Sequence, residues 1–256
     1  MTLATTSAAM RNSWGLTADA VDLRRPARPE NPLTLAAQPQ RLTLDLARTA
    51  VVVVDMQNDF CHPNGWLSGI GVDISGARAP IEPLAALLPE LRAVDVPVVW
   101  VNWGNRPDQA NLPPGVRHVY DGDGTGGGIG STIRSGTPVL TSGAWAAAVV
   151  DELTIDAGDV RVDKYRMSGF PDTPLDSILR NLRVDTLLLA GVNADQCVLA
   201  TLMDAANLGY DVVMLEDAVG TTSPQFCMQA TVYNVRQCFG FTALGSDLTV
   251  ALREQS

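Results

Sequence analysis

Leu187 to Leu202 reads LLLAGVNADQCVLATL, and the fold is decided here. Leu187, Leu188, Leu189 and Ala190 form an apolar run that ends at Gly191. The polar turn Val192-Asn193-Ala194-Asp195-Gln196 follows, then Cys197, then an apolar pattern at helical spacing. Cys197 is therefore placed where a buried strand hands over to a helix. The dipole and unpaired amides at such an end favour an anion. A thiol there is expected to lose its proton more easily than a free cysteine, and the same amides can hold an oxyanion. Cys61, Cys227 and Cys238 lack this setting and read as small buried hydrophobes.

A partner for the thiol comes from Thr49 to Phe60, TAVVVVDMQNDF. Ala50 to Val54 is continuously apolar and mostly β-branched, as in a parallel strand buried on both faces. Asp55 stands at its carboxyl end, where open α/β sheets bind ligands. Gln57, Asn58 and Asp59 follow, more polar groups than one turn or cap requires. The third segment is Asp159 to Phe170, DVRVDKYRMSGF. Val160 and Val162 alternate with Arg161 and Asp163, and Lys164 ends the strand. A lysine near a thiol and a carboxylate lowers the thiol pKa and closes a charge network.

With VVVVDMQNDF, VDKYRMSGF, AGVNADQCVLATLMDA and GYDVVMLEDAVGT, the chain resembles the isochorismatase-like cysteine hydrolases from about Leu44 to Leu248. The resemblance implies a catalytic triad of Asp55, Lys164 and Cys197. It also implies a non-proline cis peptide at Val192–Asn193 that turns an amide toward the oxyanion. PDTPLDSILR and the stretch from Asp217 to Gly240 resemble the ureidoacrylate amidohydrolase branch. NRPDQANLPPGVR and GTGGGIG resemble the biuret hydrolases. A small ureide or linear amide is the implied substrate. Nicotinamidases of this family carry Asp-x-His and further histidines for a metal. Here there are two histidines, His62 and His118, far apart and without that spacing, so no metal and no other cofactor is expected.

The strands expected are Thr49–Asp55, Pro97–Asn102, Asp159–Asp163, Thr186–Gly191, Asp211–Leu215 and Gly240–Ala243. Helices are expected near Ala79–Val94, Asp172–Leu182, Gln196–Leu208 and Pro224–Gln237. In the first of them Leu84, Leu87, Leu88 and Leu91 recur at helical spacing. Strands alternating with helices give an α/β fold, a three-layer open and mostly parallel sheet with helices on both faces. Residues 1–43 read as an N-terminal extension, rich in Ala, Thr, Arg and Pro, partly disordered or packed on a neighbouring subunit. Leu42 to Leu46 alternates as a short edge strand. Residues 44–256 are expected to form one hydrolase domain. Two long Gly- and Pro-rich loops, Cys61–Ala77 and Gly104–Thr137, interrupt the alternation, and loops of that length are often functional. DGDGTGGGIG at Asp121–Gly130 lacks the ending of a phosphate loop and the later ligands of a calcium loop.

The 256 residues are 46% hydrophobic and 18% charged, an ordinary globular composition. A net charge of −10 disfavours nucleic acid and anionic membranes as partners. Four cysteines without paired short spacing do not form a disulfide framework. Without a secretory signal pattern or a membrane-length apolar run, a reducing cytoplasmic setting is expected. A homo-oligomer, dimer or tetramer, is expected as well.

The leading expectation is hydrolysis of a C–N bond through a thioester, with Asp55 taking the Cys197 proton and Lys164 holding Asp55. Amides of Asn193 and Cys197 would hold the oxyanion. Gln57, Asn102, Trp103, Arg106 and Tyr165 stand at strand ends or in loops as substrate-binding candidates. Trp103 could stack on a planar ureide and Arg106 could pair with a carboxylate. The rival readings are an isochorismate-type hydrolase, a cyclic-amide hydrolase of the streptothricin type, and a non-catalytic binding module on the same fold.

Overall fold

The computed structural model describes residues 11–132, 136 and 138–255. A seven-stranded sheet forms its centre. The strands are β1 (Ala37–Gln38), β2 (Thr49–Val54), β3 (Val98–Trp103), β4 (Val160–Lys164), β5 (Thr186–Gly191), β6 (Asp211–Val219) and β7 (Phe241–Ala243). Their spatial order is β1-β7-β6-β5-β2-β3-β4. All neighbours are parallel except β1, which pairs antiparallel with β7. The chain runs outward from β2 to β3 and β4, returns to β5 on the other side of β2, and runs outward again to β6 and β7. The switch point therefore lies between β2 and β5, and such a crevice at the carboxyl ends is where open α/β sheets bind ligands.

The helices are α1 (Ile81–Ala93), α2 (Leu175–Asn181), α3 (Leu199–Asn207), α4 (Gln225–Asn234) and α5 (Gly245–Gln255). α1 follows β2 and α3 follows β5, and the strand order advances in opposite directions from these two. Right-handed crossovers then place the two helices on opposite faces. In α1, Leu84, Leu87, Leu88 and Leu91 are buried as their spacing requires, each worth about 1.5–3 kcal/mol of burial. Helix α2 begins at Leu175 rather than Asp172, behind Pro174, because proline suits the entry to a helix and not its interior. β6 runs four residues beyond the expected Leu215, with a register shift between Met214 and Val219. The C-terminal helix α5, which the sequence pattern does not mark, packs on α1.

The segment read as an extension is built into the domain from Pro32 onward. Pro32–Leu35 pairs antiparallel with Leu42–Asp45, the expected edge strand, and Leu33 and Leu35 are buried. Ala37–Gln38 supplies the edge of the main sheet. Gly15–Leu16 and Val21–Asp22 form a small exposed hairpin. The first ten residues of the segment lie outside those described. None of the described helices is long and apolar enough to cross a membrane.

One glycine fixes the approach of the two central strands. Gly191 ends β5 at φ 103°, and a Cβ there would overlap the carbonyl of Val54 at the end of β2. Gly191→Ala is expected to cost more than about 3 kcal/mol, from the positive φ and the displaced backbone together. Chemical denaturation reads this directly, and an unchanged midpoint would contradict it.

Candidate active site

The acid, the lysine and the thiol singled out in the sequence each stand at or beyond the end of a strand. In the first case Ala50 to Val54 are fully buried, so the chain can turn polar only at the strand's end. There Asp55 adopts a left-handed φ of 52°. That conformation is uncommon for a non-glycine residue and is often tied to a functional site. Lys164 ends β4, and Cys197 follows β5.

The three side chains converge. Lys164 Nζ lies 2.8 Å from Asp55 Oδ2, and both side chains are buried, at 0% and 1% exposure. The Cys197 thiol lies beside both of them and is electrostatically coupled to each. Three further contacts fix the pair. The Trp103 backbone N–H donates to Asp55 Oδ1 at 2.8 Å, and Lys164 Nζ sits 4.2 Å from the Trp103 ring centroid. Lys164 Nζ also donates to the Arg166 carbonyl at 3.2 Å. A buried ion pair needs such satisfaction of its remaining polar groups to persist.

Burial pushes the Asp55 carboxyl above the ordinary carboxylate range, against the pull of Lys164. For Lys164, burial alone would lower the pKa, but Asp55 and Cys197 outweigh it and the ammonium is held. Burial pushes the Cys197 thiol up to about 12, opposed by Lys164 and reinforced by Asp55. This corrects the expectation of a thiol that ionises more easily than free cysteine. Desolvation exceeds what a helix end and one lysine supply, and the resting sulfur is a neutral thiol beside a carboxylate of raised basicity.

Cys197 lies within a π-helical turn, Ala194–Val198, that runs directly into α3. The Val192–Asn193 peptide is cis. Val192 is buried and donates its N–H to Val54 O at 2.9 Å. Asn193 accepts the Thr222 N–H on its side-chain oxygen at 3.2 Å. Its own N–H makes no backbone hydrogen bond among the described residues. The Thr201 hydroxyl donates to Cys197 O at 2.7 Å and accepts the Gly169 N–H at 2.9 Å, tying the helix to the segment after β4.

The substrate-binding candidates fare differently. Gln57 is fully buried: its amide donates to the Trp103 and Ala147 carbonyls and accepts the Trp103 N–H. It is a clamp on the backbone and has no free face for a substrate. Trp103 is 1% exposed, its indole N–H donates to Asn105 Oδ1 at 2.7 Å, and its ring faces Lys164, so stacking on a ureide is ruled out. Arg106 is exposed and paired with Asp108 at 2.7 Å. Tyr165 is half-buried, with its hydroxyl donating to Asp172 O at 3.2 Å and its ring under Arg166. Asn102 is half-buried, and its side-chain oxygen is buried without a hydrogen-bond partner.

Sequence reasoning missed Met167, whose sulfur lies 3.8 Å from Cys197 Sγ. It stands within the quoted VDKYRMSGF, but a thioether carries none of the polar chemistry that marks the other residues. Of the other cysteines, Cys61 is buried as expected, whereas Cys227 is half-buried and Cys238 exposed. His62 packs edge-on against Trp145 and accepts the Asn64 N–H. No group of three His, Cys, Asp or Glu placed to hold a metal ion occurs among the described residues.

An acid, a lysine and a thiol thus meet at the carboxyl ends of the strands of an α/β fold. The chain belongs to the isochorismatase family, whose Isochorismatase domain model matches residues 49–245. It is 38% identical to a ureidoacrylate amidohydrolase of Agrobacterium fabrum over 220 residues, 84% of this chain and 94% of that one. Identity is 37% to the ureidoacrylate amidohydrolase of Rhizobium rhizogenes over 227 residues, 87% and 90% of the two chains. Among solved structures, a cysteine hydrolase from Pseudomonas syringae pv. phaseolicola has the same fold, with TM-score 0.70 and 24% identity over 88% of this chain and 99% of that one. The N-carbamoylsarcosine amidase of Thermoplasma acidophilum gives TM-score 0.60 and 28% identity over 77% and 96%.

Proposed function

We propose that the enzyme cleaves a C–N bond of a small ureide or linear amide through a covalent bond to Cys197. The observation that carries this is the buried Asp55–Lys164 pair in contact with the thiol. On this reading Asp55 takes the thiol proton as sulfur attacks the carbonyl, so charge develops only during the reaction. Lys164 stays protonated, holds Asp55 in place and offsets the negative charge. The amides of Asn193 and Cys197 receive the developing oxyanion. Asp55 then passes its proton to the leaving nitrogen, and the amine or ammonia departs. The enzyme is left as a thioester, or a thiocarbamate when the carbonyl keeps a second nitrogen. Asp55 next draws a proton from water, hydroxide adds to the carbonyl, and the thiol leaves with that proton. The names of the relatives support a ureide, and the N-carbamoylsarcosine amidase supports a carbamoyl amide.

The test is an ammonia- and amine-release screen over ureidoacrylate, biuret, carbamoyl amino acids and simple aromatic amides. It is run with and without a chelator, since no metal takes part on this reading. Turnover of none of these compounds would refute the proposal. A homo-oligomer, dimer or tetramer, and a cytoplasmic setting that keeps the thiol reduced belong to the same proposal. Light scattering reads the first of them.

The pH profile separates this mechanism from one that begins with a thiolate. A reaction needing a preformed thiolate with the ordinary cysteine pKa would gain rate through about pH 8–9. Here the thiol is held up to about 12, and the base is a carboxylate raised above its usual range. The kcat/KM is expected to rise on the acid side, as Asp55 ionises, and to stay flat through about pH 8–9. A rising limb at that pH would show that the thiolate forms before substrate arrives.

A further inference from the structure

A cavity of about 500 Å³ opens beside the catalytic cluster. Met167 stands between the two, lining the cavity with its sulfur 3.8 Å from Cys197 Sγ, and Asp195 and Gln196 of the turn that carries Cys197 line it as well. Leu199 and Met203 of α3 form one wall, and Val119 and Tyr120 of the long loop form another. Tyr120 is braced from behind. Its ring meets Trp66 edge-on at 5.4 Å between centroids, and the Trp66 indole N–H donates to Gly127 O at 2.7 Å.

The charge of this wall is as informative as its shape. None of the lining residues is a lysine or arginine, and the ionisable carboxylate present is Asp195. The arginines nearest in sequence do not line the cavity: Arg166 pairs with Asp172 at 3.2 Å, and Arg117, two residues before Val119, is exposed and donates to the Gln109 carbonyl at 3.5 Å. A carboxylate placed in this cavity would lose water without gaining a cation, and Asp195 would repel it. An apolar group would gain from burial against two methionines, a leucine and an aromatic ring. The cavity also exceeds what an unsubstituted linear ureide needs.

We propose that this cavity receives the substituent on the substrate nitrogen, and that the preferred substituent is uncharged and apolar. The proposal rests on the amidohydrolase reading above and narrows its substrate class. It sets this chain apart from relatives whose names specify ureidoacrylate, a ureide that carries a carboxylate.

The experiment compares kcat/KM on a matched pair, N-propylurea and 3-ureidopropionate, which differ in a methyl group against a carboxylate, together with N-phenylurea. The neutral member is expected to exceed the acid by at least about tenfold. Met203→Arg sets a cation on an exposed helix position, and it is expected to raise kcat/KM for the acid and lower it for N-propylurea and N-phenylurea. Met203→Ala should lower kcat/KM more for N-phenylurea than for the acid. A wild-type enzyme that prefers the acid, or a Met203→Arg variant that shifts all three substrates equally, would overturn the proposal while leaving the amidohydrolase reading intact. Absence of turnover on every ureide and amide would remove both.

Discussion

Cys197→Ala is expected to lower kcat/KM by more than about 10⁴-fold, the scale on which removing a nucleophile from a working unit acts. The protein should remain folded. The side chain lost is small, and the backbone bonds from Thr201 to the Cys197 carbonyl and from Gly169 to Thr201 do not depend on the sulfur. Far-ultraviolet circular dichroism and the thermal midpoint check the fold, while product release checks the rate. Wild-type hydrolysis by the alanine variant would end the covalent mechanism. Replacing Cys238, which is exposed, should leave the rate unchanged.

Lys164→Met should impair stability and rate together, for one electrostatic reason. The methionine keeps much of the volume against the Trp103 ring but removes the cation 2.8 Å from Asp55. A buried carboxylate is then left without its partner, at a cost of about 3–5 kcal/mol. The sign with pH follows from the raised pKa of Asp55. A group whose folded pKa is raised keeps full stability below its unfolded pKa and loses it as pH rises through the folded value. The variant should therefore lie nearest to wild type in acid and fall away toward neutral pH. Asp55→Asn combined with Lys164→Met removes both charges, and stability should largely return while activity stays below wild type by more than about 10³-fold. A single Lys164→Met variant as stable as wild type at neutral pH would show that the pair does not hold the charges assigned to it.

The parts of this site legible in the sequence are those that break a strong local pattern. Asp55 ends a fully apolar strand, Lys164 ends an alternating one, and Cys197 follows a run of leucines. Polar chemistry at the end of a buried strand usually faces a ligand or a catalytic partner, because the strand itself has no use for it. The same logic misleads where the partner lies elsewhere in the chain. Gln57 follows a strand and Trp103 ends one, but they serve each other and the backbone, because the parallel register of β2 and β3 brings them together. The thiol's acidity is not legible, because helix ends and lysines are visible locally whereas burial is a property of the whole fold. Helix α5 escapes the pattern because its sequence carries few apolar residues, with Leu248 and Leu252 as its buried leucines. The contact of Trp66 with Tyr120 joins two separate loops, and nothing within either loop announces the other.

The central claim is a covalent bond from Cys197 to the substrate carbonyl. The most direct measurement is rapid acid quench of wild-type enzyme turning over its best ureide or amide, followed by intact-protein and peptide mass spectrometry. The account predicts a transient mass gain of one acyl or carbamoyl group, on the peptide that contains Cys197, appearing and decaying at the rate of turnover. Full turnover with an unmodified Cys197 peptide at every quench time, or the adduct on a different residue, would contradict it.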